Sequence, residues 1–299
     1  MDVKVEEFDS LIKQIVPEKP NLEQVATGFG FTEGPIWCGD YLLFSDIPRN
    51  RIICWRMYSD GPEVTTYRRP SGNSNGLTLD RSGRLIACES STRRVTRTEL
   101  DGSISVLAER YGGKRINKPN DIVVRSDGSI YFTDPFTPFS FGKSIPLQEL
   151  PFSGVFRIAP DGELVLLVDD FKTPNGLCFS PDETVLYIND TMGRYIRAFD
   201  VSTDGNLSNG RMFIEMKSPE RGAPDGMKVD QEGNVYCTGP GGVWIINSGG
   251  KYLGRIILPE MPANFAWGDS DWRTLYITAR TSIYRLRLNI PGVAPYKIA

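Results

Sequence analysis

Hydrophobic and polar residues alternate with a period of two along most of this chain. Short apolar or alternating segments are bounded by Asp-Gly, Ser-Gly or Pro-Asp turns, as at 85–88, 155–158, 185–188, 235–238 and 275–279. This pattern is typical of β-strands. Helical spacing is found only near the start, at Phe8, Leu11, Ile12 and Ile15, and Pro17 ends it. The pattern predicts an all-β protein with a short helix in an N-terminal extension, residues 1–20.

Six short polar motifs, here called the signatures, each open an apolar strand segment. They are 32–34 (TEG), 74–76 (SNG), 119–121 (PND), 174–176 (PNG), 224–226 (PDG) and 263–265 (ANF). Their middle positions are 39 to 55 residues apart, close to the period of about 40 to 50 residues expected of propeller blades. Four strand segments follow the clearest signature before the next one begins, so the sequence predicts six four-stranded blades.

The last repeat supplies only three strand segments, 265–267, 274–279 and 282–288. The strand-like segment Leu22–Thr27 precedes the first signature and belongs to no earlier repeat. We therefore expect this N-terminal strand to complete the last blade and close the ring, which removes exposed sheet edges. The prediction is a six-bladed β-propeller formed by one domain, residues 1–299. Two packed β-sandwich domains are the alternative, but they give no reason for the long period.

Composition narrows the choice of partners. The 299 residues include 34 basic and 37 acidic ones, and no basic block suggests binding to nucleic acid. No apolar run approaches the roughly 18 residues of a membrane span, and the acidic start does not resemble a signal peptide. The five cysteines lie singly, as expected in a reducing compartment. We expect a cytoplasmic monomer or homodimer, and we expect the basic segment Arg93–Arg97 to face solvent.

The chain contains no histidine. This excludes a Ser-His-Asp triad, a Cys-His pair, an imidazole base and a His-ligated metal. Acid–base chemistry must therefore come from carboxylates, Lys, Tyr or a metal-bound water.

The middle residues of the signatures should face one another around the axis of a propeller. They are two carboxylates and four amides: Glu33, Asn75, Asn120, Asn175, Asp225 and Asn264. Buried polar groups need partners, and a cation satisfies several oxygens at once. An all-oxygen set favours one divalent ion, Ca²⁺ first, with Mg²⁺, Mn²⁺ or Zn²⁺ as alternatives. A purely structural ion or bridging waters would also satisfy such a ring.

Four motifs resemble the regucalcin and gluconolactonase family: TEGP at 32–35, KPND at 118–121, PNGL at 174–177 and PDGM at 224–227. The gluconolactonase branch is the more similar, through 114–115 and 264–268. The resemblance implies a six-bladed propeller that binds a divalent metal through Glu33, Asn175 and Asp225, with Asn120 coordinating or close by. It also implies that Asp225 serves as general base and that Lys118 and Asn120 face the substrate.

The predicted function is a metal-dependent lactonase of carbohydrate metabolism that opens a small sugar lactone. In that hypothesis the metal polarises the carbonyl while Asp225, the predicted catalytic residue, assists water. Asn75 joins Lys118 and Asn120 as a predicted substrate-binding residue. The absence of histidine and the Lys at 118, where relatives often have Arg, leave the substrate open. An organophosphate or other ester hydrolase is one alternative, and a non-catalytic calcium-binding scaffold is another.

Two further features lie near the predicted channel mouth. Glu89, Asp134 and Asp190 end second strands, where they either line the pocket or form turns. The long insert 135–153 carries four phenylalanines, Phe136, Phe139, Phe141 and Phe152. It is either a lid or pocket wall, or a loop packed on its own blade.

Overall fold

The computed structural model describes residues 3–136 and 147–295, which form six large antiparallel sheets and one small hairpin. The helix is α1 (Ile12–Ile15). The strands up to residue 134 are β1 (Lys4–Glu7), β2 (Leu22–Thr27), β3 (Thr32–Trp37), β4 (Tyr41–Asp46), β5 (Arg51–Tyr58), β6 (Gly61–Arg68), β7 (Ser74–Leu79), β8 (Leu85–Glu89), β9 (Arg94–Thr98), β10 (Ile104–Ala108), β11 (Arg110–Tyr111), β12 (Lys114–Arg115), β13 (Ile122–Val124) and β14 (Ile130–Asp134).

The later strands are β15 (Ser153–Ile158), β16 (Leu164–Phe171), β17 (Pro174–Phe179), β18 (Val185–Asp190), β19 (Tyr195–Val201), β20 (Leu207–Glu215), β21 (Met227–Val229), β22 (Val235–Gly239), β23 (Gly242–Ile246), β24 (Tyr252–Ile257), β25 (Pro262–Gly268), β26 (Thr274–Ala279) and β27 (Ser282–Arg287). Blades 1 to 6 begin at β3, β7, β13, β17, β21 and β25, respectively. Their first strands lie innermost, and each contacts the innermost strands of both neighbouring blades. The six-bladed propeller predicted from the sequence is confirmed.

The signature glycines allow these inner strands to approach closely. A Cβ atom added at Gly34, Gly76 or Gly176 would overlap the backbone carbonyl of the next blade's signature. At Gly76 and Gly176 the amide also donates to that carbonyl, at 2.7 Å to Asn120 O and 3.1 Å to Asp225 O. Glycine is therefore required by the contact between blades.

Burial falls from the axis to the rim. All residues of the inner strand β3 are buried, whereas the outer strand β6 is mostly exposed. The core lies between neighbouring sheets, as where the rings of Trp37 and Tyr276 stack with centroids 5.0 Å apart between blades 1 and 6. The inner strands therefore read as apolar runs and only the outer ones as polar segments.

The ring closes through its first and last blades. Strand β2 pairs antiparallel with β27, Leu22 opposite Leu286 and Thr27 opposite Ser282, and so completes blade 6. The predicted N-terminal closure is confirmed. Each blade therefore has a covalent or hydrogen-bonded link to its neighbour, including the pair at the ends of the chain.

The N-terminal extension does more than the sequence predicted. Strand β1 pairs with β24 and adds a fifth strand to blade 5. Its residue Glu6 binds the side chain of Arg255, which also binds Glu220. Helix α1 follows, and its Ile12 and Ile15 are buried in the cluster between blades 5 and 6. The extension is thus part of the packed structure.

Two expectations about loops need correction or restriction. Arg93 was expected to face solvent, but it is only 8% exposed and its guanidinium binds the carbonyls of Ile116 and Asn117. The insert expectation covers Phe139 and Phe141, which lie outside the described residues. The described Phe152 packs near Phe156 of its own blade, with ring centroids 6.4 Å apart. Within 3–136 and 147–295, no helix is long and apolar enough to span a bilayer.

Candidate active site

Small polar residues on the second strands position the signatures. Ser45, Thr133 and Thr238 donate from their hydroxyl groups to signature carbonyls in the following blade, at 2.8, 2.7 and 2.9 Å. Asn189 does the same with its amide, at 2.5 Å to Asp225 O. The sequence interpretation missed these residues. Their signal is a constant place, directly before the last residue of each second strand.

Two carboxyl groups from blades on different sides of the ring meet on the axis. The side chain of Asp225 interacts with those of Glu33 and Asn175, and Asn175 Nδ2 donates to Thr191 Oγ1 at 2.9 Å. Glu33 Oε2 also accepts from the amide of Gly34 at 2.7 Å. Glu33 and Asn175 are 3% and 7% exposed, whereas Asp225 keeps a larger exposed fraction. The predicted ligands Glu33, Asn175 and Asp225 therefore converge around a partly accessible point.

Burial makes this carboxyl pair costly to ionise. Desolvation raises the pKa of Glu33 from its usual 4.5 to about 7, and the nearby charge of Asp121 adds to the rise. Desolvation and then repulsion by Glu33 raise the pKa of Asp225 well above its usual value. Like charges in a low-dielectric site stabilise the protonated form unless a cation compensates them. The pair is therefore suited to hold either protons or a metal ion.

Amide oxygens complete the donor set. Asn75 Nδ2 donates to Asn120 Oδ1 at 2.9 Å, so these two predicted substrate-binding residues lie together. The buried Oδ1 atoms of Asn75 and Asn175 accept no hydrogen bond within the described part of the chain. An unsatisfied buried oxygen costs about 1 to 3 kcal/mol. The orphaned Oδ1 atom of Asn175, whose side chain interacts with Asp225, fits a hard divalent cation such as Ca²⁺. We call Glu33, Asn120, Asn175 and Asp225 the cation site.

Two axial residues play parts that the sequence interpretation did not assign. Asp121, which follows Asn120, raises the pKa of both Glu33 and Asp225 through its charge. Asn264 hydrogen-bonds Glu33 and approaches Asp121 through Nδ2 at 3.5 Å. Its Oδ1 accepts from the amide of Phe265 at 2.9 Å. Asn264 therefore orients carboxylates, and its own oxygen points to other partners.

Lys118 lies two residues before Asn120 and is half-buried. Burial, and secondarily the charge of Arg93, lower the pKa of its ammonium group. Arg93 holds the preceding backbone, with Nε at 2.8 Å from Ile116 O and 3.1 Å from Asn117 O. Arg93 thus fixes the segment that presents Lys118, a role that the alternating pattern around it did not indicate.

The acids that end second strands mainly support loops. Glu89 accepts from Arg94 Nε at 2.7 Å and from Thr96 Oγ1 at 2.8 Å. Asp190 accepts from the amides of Lys172 and Gly193 at 2.7 and 2.8 Å. Asp134 accepts from the amide of Asn117 at 2.7 Å, and desolvation raises its pKa to about 7. For Asp190 these contacts favour the turn-forming alternative, whereas Glu89 binds side chains of the adjacent strand β9.

Residues 31–281 match the model of the SMP-30/Gluconolactonase/LRE-like region. The chain belongs to this family. It is 32% identical to the gluconolactonase of Zymomonas mobilis over 97% of this chain and 87% of that protein. A solved gluconolactonase from Xanthomonas campestris, important in glucose secondary metabolic pathways, is 33% identical, with a TM-score of 0.86 over 96% of this chain and 95% of the other.

The calcium-binding regucalcin of Agrobacterium tumefaciens shares the fold, with a TM-score of 0.73 over 92% of this chain and 95% of that one, at 18% identity. The family prediction is confirmed, and the expected enzyme class, a lactonase, agrees with the gluconolactonase relatives. The roles of individual residues, the metal, the cytoplasmic location and the oligomeric state stay predictions.

The raised carboxyl pKa values predict how the metal-free protein responds to pH. Folded Glu33 holds its proton up to a pKa of about 7, whereas the unfolded chain releases it near the usual 4.5. The folded state binds more protons in this window. We therefore expect the unfolding temperature in chelator to decrease as the pH rises from about 5 to about 8. Calcium should then stabilise the protein more at the higher pH, because binding displaces protons.

Differential scanning fluorimetry with chelator or with calcium measures this effect. Asp134 contributes a pH dependence of the same sign in both conditions. The gain from calcium therefore isolates the cation site. Glu33→Gln should reduce the difference in calcium gain between the two pH values without abolishing it, because desolvation alone still raises the pKa of Asp225. An equal gain from calcium at both pH values in the unsubstituted protein would contradict the prediction.

Proposed function

We propose that this chain is a lactonase that uses one divalent cation to hydrolyse a small sugar lactone. The observation that carries the proposal is the interaction between the Glu33 and Asp225 carboxyl groups beside the orphaned amide oxygen of Asn175. Family membership supports the reaction class. The proposal treats residues 1–299 as one catalytic domain.

Glu33, Asn120, Asn175 and Asp225 would hold the cation, with Ca²⁺ favoured by the all-oxygen donor set. When bound, a divalent cation acts as a Lewis acid that polarises a carbonyl oxygen and lowers the pKa of bound water. The two carboxylates match its charge. The neutral amides add oxygens without adding further repulsion between ligands.

Asp225 is the residue best placed to receive a proton from the attacking water. The chain has no histidine, so a carboxylate must take the role that imidazole often takes. Asp225 is more exposed than Glu33, and its side chain interacts with that of Asn175, which is held by a 2.9 Å hydrogen bond to Thr191. It can therefore orient water at one oxygen while Glu33 remains in the buried floor of the site.

Lys118, Asn75 and Asn120 would bind the sugar. Asn75 Nδ2 donates to Asn120 Oδ1 and so fixes the orientation of Asn120. The ammonium of Lys118, held by the segment that Arg93 anchors, can donate to a ring hydroxyl or to the carboxylate formed on ring opening. These side chains suit a polyhydroxylated ring better than an apolar ester.

A substrate panel tests the proposal. Purified protein is stripped of metal, and the hydrolysis of glucono-, xylono- and arabinolactones and of a phosphotriester is measured with and without Ca²⁺. We expect lactone hydrolysis that chelation abolishes and calcium restores. Preference for the phosphotriester would favour the organophosphate alternative. Calcium binding without any hydrolysis would favour the non-catalytic scaffold and overturn the proposal.

A further inference from the structure

Among the described residues, the ammonium group of Lys228 lies close to the cation site. Lys228 lies three residues beyond Asp225 on the same inner strand segment and is partly buried. Its Nζ donates to Met227 O at 2.9 Å and to Asn264 Oδ1 at 3.4 Å. It lies 3.9 Å from Asp121 Oδ2. Burying the ammonium group of a lysine costs free energy unless its charge is compensated, and Asp121 is a carboxylate near enough to compensate it.

The far side of Lys228 offers it no other anion. There the channel widens into a cavity of about 130 Å³, lined mainly by apolar residues such as Leu77, Val229 and Trp267. The one carboxylate in its lining, Glu183, accepts from the amide of Ser126 at 2.8 Å. Within the described residues, Asp121 is the one carboxylate within ion-pair distance of Lys228.

Lys228 is also coupled to the cation site itself. Asn264 connects them, because its Oδ1 accepts from Lys228 and its side chain hydrogen-bonds Glu33. Lys228 therefore approaches the cation site through two neighbours, Asn264 and Asp121.

The formal charges of the groups on the axis indicate which metal charge the site matches. Three carboxylates, Glu33, Asp121 and Asp225, interact with one another, and one ammonium accompanies them. Together these groups carry a formal charge of −2. One divalent ion neutralises this set, whereas three carboxylates without the ammonium would match a trivalent ion or attract a second cation.

We propose that Lys228 is a built-in cation that neutralises Asp121 and so sets the charge of the axial site for one divalent ion. The inference rests on the cation site of the proposed function, but it does not require that the substrate be a lactone. Lys228 acts through Asp121 and Asn264 and is a positioning residue. Its effect should therefore appear in metal binding itself.

Three variants separate this role from a general loss of stability. Lys228→Met leaves three carboxylates without compensation, Asp121→Asn leaves the ammonium unpaired, and the double variant removes both charges. The double variant restores the formal charge of the unsubstituted site and leaves no buried ion without a partner. Lys251→Met is the control, because Lys251 is 60% exposed beside β24 of the same blade and pairs with Asp9.

Calorimetric titration of the stripped proteins with Ca²⁺, and competition with luminescent Tb³⁺, measure the outcome, with circular dichroism to verify folding. We expect Asp121→Asn to weaken Ca²⁺ binding about tenfold or more and Lys228→Met to shift preference toward Tb³⁺ by about tenfold, as unit charges near the site require. The double variant and Lys251→Met should bind both ions nearly as the unsubstituted protein does.

The test distinguishes this inference from the proposed function. An unsubstituted protein that binds one Ca²⁺, together with a double variant as weak as Asp121→Asn, would show that Lys228 and Asp121 act independently and would overturn the inference. An unchanged Tb³⁺ preference in Lys228→Met would overturn it as well. The substrate panel can fail while the variants behave as expected, in which case the proposed lactone chemistry is wrong and the charge assignment stands.

Discussion

Replacing Asp225 by asparagine is expected to lower kcat/KM for glucono-1,5-lactone by about a thousandfold, the middle of the range for loss of a general base. The amide keeps the shape of the side chain but cannot accept a proton from water. Asp225 is also a predicted metal ligand, so the assay uses Ca²⁺ far above the dissociation constant measured for the variant. The rate of hydrolysis is measured from the protons that the carboxylic acid product releases.

Asp161→Asn is a matched control for this variant. Asp161 lies in the turn between β15 and β16, where its carboxylate accepts from the amide of Glu163 at 3.1 Å. Its substitution should leave kcat/KM unchanged. If Asp225→Asn retained full activity while folded and loaded with calcium, Asp225 could not be the base.

Replacing Asp190 by alanine is expected to lower the free energy of unfolding by about 3 to 5 kcal/mol, because buried donors lose their acceptor. Asp190 is fully buried and accepts from the amides of Lys172, Thr173 and Gly193 and from the hydroxyl of Tyr195. The loop that it holds leads directly into the signature with Asn175. Calcium affinity should decrease together with the free energy of unfolding, because the same loop positions Asn175.

Chemical denaturation measures this change, and Asp170→Ala provides the comparison. Asp170 is 61% exposed and pairs with Arg197 across 2.7 Å. An exposed ion pair contributes little, about 0 to 1 kcal/mol. Equal losses in the two variants would contradict the view that Asp190 is a structural acceptor.

The fold was largely predictable because each blade repeats the same short sequence pattern. The signatures recur at blade spacing, and the strand Thr274–Ala279 has the bounds that the sequence predicts. The closing strand followed from counting, since the last repeat lacked one strand. These features depend on short-range patterns that every blade repeats.

Features that depend on long-range contacts were not predictable. Strand β1 has only four residues, three of them charged, and its pairing with β24 involves the distant Arg255. Arg93 has a positive φ of 55°, which turns it out of the alternation that the sequence suggests. Such local conformations are set by tertiary contacts rather than by the residue pattern.

The candidate site was predictable to the level of position within each signature. The middle residues converge as expected, and Glu33 and Asp225 make contact. The third signature contains two adjacent polar residues, however, and the sequence could not tell that Asp121 also acts on the axis. Its partner Lys228 comes from another blade, so their proximity depends on a long-range contact.

Pairing of the first strand of the ring with the last one has a consequence for biosynthesis. Residues 22–27 leave the ribosome before their partner strand, 282–287, is made, because blades 1 to 5 lie between the two strands in the chain. During translation the nascent chain therefore holds an open arc of blades, and Glu33 cannot yet be fixed against Asp225. The molecule should therefore acquire its affinity for metal only in the step that pairs β2 with β27.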